Sequence, residues 1–186
     1  KMFDNAVYYN RAVSTTYEPG SVFKVLTMAS ALDAGVVTPE TPFLDTGSFE
    51  IGGYVIRNWD GNAWGEQNMI GCLQHSLNVC LSWIAKQMGP KIFYEYLNRF
   101  GVGHVTGIDL ANEASFPLRT PDDGIWYDVD LATHSFGQGL AVTPIELATA
   151  ISAVANNGTI MAPHVLKSMV SNGRQYNTTP QVLANP

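Results

Sequence analysis

The chain has 186 residues, of which 46% are apolar and 14% are charged, a composition typical of one folded domain and unlike that of a disordered segment. Its net charge of −6 and its lack of any Lys or Arg run argue against nucleic-acid binding, which needs a basic surface. No apolar stretch reaches the roughly 18 residues needed to span a bilayer. The abrupt first and last residues lead us to expect a piece of a longer protein.

The first long helix is predicted over residues 21–34, directly after a turn at Tyr17-Glu18-Pro19-Gly20. Apolar residues recur there at helical spacing, which indicates a largely buried helix. Gly35 follows as a typical stop signal. Ser21 is therefore expected in the first turn of this helix.

The middle of the chain is predicted to alternate between loops and shorter helices. Residues 36–66 are rich in Pro, Gly, Thr and Asp, which favours a mostly irregular excursion with a few strand-like pieces. Helical patterns follow over about 68–75 and 79–88, and Gly89-Pro90 separates the second pattern from a third. Residues 101–125 show no periodicity and are predicted to form a loop.

The last long helix has the clearest start signal. Thr143-Pro144-Ile145-Glu146 combines a Thr cap, Pro at the first helical position and Glu at the third, which is the pattern of a capping box. Asn156-Asn157-Gly158 provides the stop signal. The residues after 163 are predicted to form a short strand and a polar tail.

The chain contains two cysteines, Cys72 and Cys80. Eight residues apart on one continuous helix, their Cα atoms would lie about 12 Å apart, which is too far for a disulfide. A break in the helix between them would leave that distance open. Two buried free thiols are the interpretation that the sequence favours.

Ser21 and Lys24 form the first candidate catalytic pair. A serine hydroxyl needs a base to act as a nucleophile, and residues three apart on a helix share a face. A lysine amine can serve as that base when burial or a neighbouring charge lowers its pKa. Free backbone N–H groups at a helix start can also hold an oxyanion. A capping serine beside a solvated lysine has the same pattern, so this motif is weak by itself.

Ser76 and Asn78 form a second candidate pair, at the junction of two helical patterns. In such a break both side chains can face one cleft, where the serine relays a proton and the asparagine donates to a substrate carbonyl. A helix break capped by Ser or Asn is the plainer interpretation. Trp59, with its neighbours Asn58 and Asp60, is a candidate cleft residue for a peptide substrate, although tryptophans more often serve packing. Four scattered histidines lack zinc spacing and are assigned structural roles: His75, His104, His134 and His164.

Together these motifs resemble the penicillin-recognising serine enzymes. Ser-x-x-Lys opens a buried helix, and Ser-x-Asn follows 55 residues later. Three further segments resemble class B penicillin-binding proteins: Tyr17-Glu18-Pro19-Gly20 before Ser21, Gly107-Ile108-Asp109-Leu110 with Glu113, and Ser135-Phe136-Gly137-Gln138-Gly139 before Val142-Thr143-Pro144. The resemblance covers roughly residues 10–165.

The resemblance implies a D,D-transpeptidase that cross-links peptidoglycan stem peptides through an acyl-enzyme. Ser21 would be the nucleophile, Lys24 its base and Ser76 a proton donor to the leaving amine. Asn78 and Trp59 would contact the substrate. β-Lactam antibiotics would acylate the nucleophile, and neither a metal nor an organic cofactor would be needed. The parent protein would work with other cell-wall synthesis proteins.

The implied fold is the α+β fold of penicillin-binding transpeptidases and serine β-lactamases, with residues 1–186 as one partial domain. An N-terminal helix that this chain lacks would anchor the parent protein, with the domain on the outer face of the bacterial cytoplasmic membrane. The family's third motif, Lys-Thr/Ser-Gly, occurs nowhere in the chain. We therefore expect a mainly helical piece that lacks most of the central antiparallel sheet and is impaired or inactive alone.

Two other functions stay open from the sequence. A class D-like β-lactamase or a β-lactam sensor domain shares Ser-x-x-Lys, and fast hydrolysis of a chromogenic cephalosporin would favour it. The similarity over 107–113 and 135–139 argues against that alternative. A catalytically silent fragment or scaffold module is favoured by the missing third motif.

Overall fold

The computed structural model of the chain describes residues 9–185. Within that range the chain forms six α-helices and eight short strands. These elements are distributed over two compact units. The first unit comprises residues 9–17, 99–117 and 142–185, and the second comprises residues 18–98 and 118–141.

The helices of the second unit follow the order that the sequence predicts. A 3₁₀ turn at Gly20–Phe23 leads into α2 (Lys24–Asp33), so the helix predicted over 21–34 is confirmed with a tighter first turn. α3 (Met69–Gln74) and α4 (Asn78–Arg99) follow. The break predicted at Gly89-Pro90 falls inside α4, where Gly89 has a non-helical backbone with a φ of 74°. Fully buried apolar side chains form the core of this unit: Phe23, Leu26, Leu77, Leu81, Ile84, Phe93 and Leu97.

Four short strands lie in and just after the stretch 36–66, which the sequence predicts to be mostly irregular with a few strand-like pieces. β1 (Pro42–Asp45) pairs antiparallel with β4 (Gly65–Asn68). Between them, β2 (Ser48–Ile51) pairs antiparallel with β3 (Tyr54–Arg57) through a two-residue Gly-Gly turn. Fewer than half of residues 36–66 lie in these strands, so the mostly irregular excursion with strand-like pieces is confirmed. Strands of four residues are too short for a period-two pattern to locate each of them from the sequence.

The sequence does not predict α5 (Asp128–Ser135), which also belongs to the second unit. Its start is fixed by the Asp130 carboxylate, which accepts a hydrogen bond from the Tyr127 backbone N–H at 2.8 Å. Arg119 donates to the same carboxylate at 3.2 Å. With eight residues and few apolar positions, this helix depends on these polar contacts and shows little periodicity.

The first unit is built on α6 (Pro144–Ala155), which contacts α1 (Arg11–Ser14) and β5 (Ile160–Met161). The predicted capping box is confirmed. Thr143 Oγ1 accepts from the Glu146 N–H, and the Glu146 carboxylate accepts from the Thr143 N–H, both at 3.2 Å.

The C-terminal segment contains more strand than predicted. β6 (Ser168–Ser171) and β7 (Arg174–Asn177) form a hairpin whose two-residue turn is Asn172-Gly173, both with positive φ. This Asn-Gly pair is a strong hairpin signal that the polar composition of the segment masks. β8 (Val182–Ala184) pairs with β5.

Every named strand among residues 9–185 belongs to a two-stranded antiparallel pair, and more of these residues lie in helices than in strands. The fold is therefore the α+β, helix-rich piece that the sequence predicts, without most of a central sheet. No helix within the described residues is long and apolar enough to cross a membrane. The assignment of residues 1–186 to one partial domain stays a prediction.

Candidate active site

All five predicted site residues lie in the second unit, and the nucleophile candidate is at its 3₁₀ turn. In a 3₁₀ helix residues i and i+3 eclipse, and the backbone N–H of Lys24 donates to the carbonyl of Ser21. The buried Phe23 side chain holds this turn against the core, while Ser21 itself is exposed. The turn therefore presents the serine to solvent with the lysine on the same side.

The Lys24 ammonium is hydrogen-bonded to Ser76 and not to Ser21. Its Nζ donates to the Ser76 carbonyl at 2.6 Å and to the Ser76 hydroxyl at 2.9 Å. Among residues 9–185, no hydrogen bond joins the Ser21 hydroxyl to this amine. Only 2% of the lysine surface is exposed, and this burial lowers its pKa to about 8. A free amine is thus accessible near neutral pH, as a general base requires.

Ser76 lies in the break between α3 and α4, with a left-handed backbone at φ 55°. A non-glycine residue in this region costs of order 1–3 kcal/mol and persists only where its surroundings impose it. The Leu77 N–H donates to the Cys72 carbonyl at 2.9 Å, and the Leu77 side chain is fully buried. This anchoring, with the Lys24 bonds, holds the Ser76 hydroxyl at the lysine amine.

Asn58, a candidate cleft residue from the sequence, is buried and positions the helix junction. Its side-chain oxygen accepts from the Val79 N–H at 3.2 Å, and its amide donates to the buried Asp45 carboxylate at 2.7 Å. Asn78 itself donates from Nδ2 to the Arg57 carbonyl at 3.1 Å. The end of β3 therefore holds the start of α4, and with it the Ser76–Asn78 junction.

A cavity of about 450 Å³ opens beside the nucleophile candidate. It is lined by Ser21, Trp59, Trp64, Gln74, His75 and Ser76. Three predicted residues therefore share one cavity, while Lys24 and Asn78 are not among its lining residues. Trp59 is 74% exposed, as a residue that meets a ligand from solvent can be. The stacked rings of Trp64 and His75, 4.0 Å apart, form a wall that sequence reasoning missed.

The prediction of two free thiols was wrong, because Cys72 and Cys80 form a disulfide. Their Cα atoms lie 6.0 Å apart, half the distance expected on a continuous helix. The left-handed Ser76 reverses the chain between α3 and α4 and brings the two sulfurs together. The bond thus closes a short loop that contains both Ser76 and Asn78.

Replacing both cysteines by serine is expected to lower the free energy of unfolding by about 2–4 kcal/mol. Without the bond the loop has more conformational entropy in the unfolded state, and in the folded state two hydroxyls are buried in place of the disulfide. Urea unfolding of the wild type and the double variant, with and without reductant, measures the loss. Equal unfolding midpoints for both proteins under oxidising conditions would contradict it.

The segment 135–139 lies directly beneath the nucleophile turn. The Gly20 N–H donates to the Gly137 carbonyl at 2.9 Å, and the Gly139 N–H donates to the Glu18 carboxylate at 2.9 Å. Gly137 has a φ of 81°, and a Cβ there would meet the Gly20 carbonyl oxygen at 2.2 Å. Only glycine permits this approach, which is why the Ser-Phe-Gly-Gln-Gly run is a site feature as well as a sequence signature.

Gly137→Ala is expected to displace the nucleophile turn. Gly124→Ala is the matched control, since Gly124 also has positive φ, at 71°, but its added Cβ would meet nothing within 4 Å. Each variant should lose about 1–2 kcal/mol for the left-handed backbone, and Gly137→Ala about 1–3 kcal/mol more for the overpacking. Chemical denaturation gives the free energy of unfolding of both variants, and β-lactam acylation kinetics give their reaction rates. Equal effects of the two variants on both quantities would contradict the account.

Comparisons with known proteins agree with this geometry. The chain matches the family described as "Penicillin binding protein transpeptidase domain" over residues 1–185. It is 37% identical over 172 residues to stage V sporulation protein D of Bacillus subtilis, covering 90% of this chain and 26% of that protein. It is 34% identical over 180 residues to the peptidoglycan D,D-transpeptidase MrdA of Escherichia coli, covering 92% of this chain and 28% of that protein.

Solved structures show the same relationship. A D,D-transpeptidase domain from Eggerthella lenta superposes with a TM-score of 0.88 at 25% identity, covering 95% of this chain and 46% of that one. Penicillin binding protein 3 of Mycobacterium tuberculosis, complexed with aztreonam, superposes with a TM-score of 0.85 at 28% identity, covering 94% and 39%. The chain spans about a quarter of the length of the curated relatives named above. It belongs to the penicillin-binding protein transpeptidase family.

Proposed function

We propose that this chain carries the nucleophile half of a serine-type peptidoglycan D,D-transpeptidase. The observation that carries the proposal is the buried Lys24 amine, whose pKa burial lowers to about 8, three residues from an exposed serine and hydrogen-bonded to a second one. The relatives supply the reaction class, since several are named peptidoglycan D,D-transpeptidases. We assign one partial transpeptidase domain to residues 1–186, which the family match over 1–185 supports.

In the proposed reaction, the Ser21 hydroxyl oxygen attacks the penultimate D-Ala carbonyl of a stem peptide, and its proton passes to the Lys24 amine. Backbone N–H groups of the nucleophile turn other than that of Gly20, which donates to Gly137, are assigned to the developing oxyanion. The C–N bond then breaks, and the leaving D-Ala amine takes a proton from the Ser76 hydroxyl, which Lys24 reprotonates. An ester on Ser21 remains.

The second half of the reaction reverses these proton movements. The amine of a second stem peptide attacks the ester carbonyl, and its proton passes through Ser76 to Lys24. The Ser21 oxygen leaves and takes a proton from Lys24 to become the free hydroxyl again, and the new amide is the cross-link. Asn78 and Trp59 are assigned to the substrate chain, Asn78 by exchanging its bond to the Arg57 carbonyl for one to the substrate.

The same site is proposed to react with β-lactams, whose strained amide occupies the place of the D-Ala–D-Ala bond. The relative from M. tuberculosis has been solved in complex with aztreonam and with ampicillin. We further propose that the whole protein acts at the outer face of the cytoplasmic membrane, together with other cell-wall synthesis proteins.

The third motif, Lys-Thr/Ser-Gly, does not occur in the 186 residues. We therefore propose that this chain alone is acylated slowly or not at all, while a full-length protein that contains the motif is acylated rapidly. Labelling both with a fluorescent penicillin tests this directly. Rapid stoichiometric labelling of the 186-residue chain would show that the third motif is dispensable.

The same experiment separates the alternative functions. A stable acyl-enzyme on the full-length protein supports the transpeptidase, because its ester persists until an amine arrives. Rapid loss of the label by hydrolysis would favour a β-lactamase. No labelling of the full-length protein would favour a catalytically silent module.

A further inference from the structure

A chain of hydrogen bonds in the second unit connects α4 and α5 to the nucleophile turn. The Trp126 indole N–H donates to the Tyr94 hydroxyl oxygen at 2.7 Å. That hydroxyl lies 2.9 Å from Nδ1 of His134, and Nε2 of His134 lies 3.1 Å from the Gly139 carbonyl oxygen. We call Trp126, Tyr94 and His134 the relay.

The direction of each bond in the relay is fixed by chemistry. An indole nitrogen can only donate, so the Tyr94 oxygen accepts from Trp126 and its single proton is left for Nδ1 of His134. Nδ1 must then be the bare, accepting nitrogen. Nε2 carries the ring proton and donates it to the Gly139 carbonyl. The tautomer of His134 is thereby set by its neighbours.

Burial keeps both titratable members of the relay uncharged. His134 is fully buried, and this desolvation lowers its pKa to about 4, against the opposing effect of the nearby Asp130 carboxylate, which pairs with Arg119. Burial also raises the pKa of the Tyr94 hydroxyl well above its usual range. The relay therefore stays neutral, with one fixed pattern of protons, throughout the pH range in which the lysine base titrates.

The relay ends on the segment that supports the nucleophile turn. Gly139 is held on both sides, by His134 at its carbonyl and by the Glu18 carboxylate at its N–H. Two residues earlier, the Gly137 carbonyl accepts from Gly20, the residue directly before the nucleophile. A change in His134 can therefore reach the turn that carries Ser21 through the Gly139–Glu18 and Gly137–Gly20 hydrogen bonds.

We propose that the relay is a positioning device for the reaction, in which His134, oriented by Tyr94 and Trp126, fixes Gly139 and through it the nucleophile turn. This inference rests on the proposed function of Ser21. It gives His134 a role beyond the structural one that the sequence assigns to it, because its target is the backbone beneath the reacting hydroxyl. It also gives Tyr94 and Trp126 a role in the rate of acylation.

Tyr94→Phe is the central test, because it keeps the buried ring and removes only the hydroxyl. Stopped-flow acylation of the full-length protein by a fluorescent penicillin separates the first-order acylation constant, the dissociation constant of the preceding complex and the active fraction. We expect the acylation constant to fall about five- to twentyfold. The dissociation constant and the active fraction should change by less than twofold, whereas loss of folded protein would lower the active fraction instead.

The matched control is Tyr96→Phe. Tyr96 lies two residues further along the same helix, and its hydroxyl donates to the Asp33 carboxylate at 2.6 Å rather than to the relay. This variant removes the hydroxyl bond to Asp33, which is of similar length, and should acylate within twofold of the wild type. Equal rate losses in Tyr94→Phe and Tyr96→Phe would overturn the proposal.

Two further measurements address His134 itself. His134→Gln retains a donor that can reach the Gly139 carbonyl and should acylate faster than His134→Asn, whose shorter amide cannot. In ¹⁵N spectra of histidine-labelled protein, His134 should show a bare Nδ1 and a protonated Nε2, and Tyr94→Phe should alter the Nδ1 signal. A protonated Nδ1 in the wild type would overturn the relay.

Failure of the relay is distinguishable from failure of the proposed function. A wild type that is acylated on Ser21, together with a Tyr94→Phe variant of unchanged acylation constant, would overturn the relay alone. A wild type that is never acylated would overturn both.

Discussion

Ser21→Ala is expected to lower acylation of the full-length protein by a penicillin at least about a thousandfold, because it removes the hydroxyl that the proposed reaction assigns to the ester bond. The fold should survive the change. Ser21 is exposed, and the turn that carries it is held by the buried Phe23 side chain and by the bond from Gly20 to Gly137. The variant should therefore keep the melting temperature of the wild type within a few degrees.

Ser152→Ala serves as the matched control for this variant. Ser152 is an exposed serine on α6, and its hydroxyl donates only to the Ala148 carbonyl of its own helix, at 2.7 Å. Its acylation rate should equal that of the wild type. Acylation of Ser21→Ala at more than about a tenth of the wild-type rate, with a normal melting temperature, would rule out Ser21 as the nucleophile.

Lys24→Met is expected to have the second largest effect, a loss of about a hundredfold to ten-thousandfold in acylation rate, the range that one general base contributes. Methionine matches much of the volume of the buried lysine stem and cannot accept a proton. The change also removes the donor to the Ser76 carbonyl and hydroxyl, so part of the loss reflects a less well-placed Ser76. Acylation kinetics and circular dichroism measure both consequences.

The exposed Lys91 provides the matched control, since Lys91→Met removes a lysine of the same unit that lies outside the site. Its acylation rate should stay within twofold of the wild type. If Lys24→Met acylated as fast as Lys91→Met, the lysine would be a structural residue and not the base.

The pH dependence of acylation follows from the pKa of Lys24. The neutral amine is the active form, and burial lowers its pKa from 10.5 to about 8. Below that value the neutral fraction falls tenfold per pH unit, so the rate should rise roughly tenfold per unit between pH 6 and 7 and level off above pH 8. Lys24→Met should lose this dependence together with the activity.

The parts of the fold that the sequence predicts correctly are those whose signals are local. The helix that begins near Ser21 shows a 3.6-residue apolar period over ten residues, and the last helix has a capping box that the structure reproduces in both hydrogen bonds. The four short strands between residues 42 and 68 and the eight-residue α5 are stabilised by pairing and side-chain capping. Strand pairing joins residues that are distant in sequence, and α5 has too few residues to show a helical period.

The candidate site shows the same division. Ser21, Lys24, Ser76 and Asn78 could be named from two short motifs, because their spacing resembles a known family. The Trp64–His75 wall and the disulfide could not, since both depend on the left-handed turn at Ser76 between α3 and α4. The sequence left open a helix break between the cysteines. How close that break brings their Cα atoms depends on the tertiary structure.

The most direct test of the account is the mass of the acylated protein. The full-length protein, incubated with a penicillin and denatured, should gain the mass of one antibiotic molecule, and digestion should place that mass on the peptide that contains Ser21. Ser21→Ala should gain nothing. An unmodified full-length protein, or an adduct placed on Ser76 or any other residue, would contradict the assignment of Ser21 as the nucleophile.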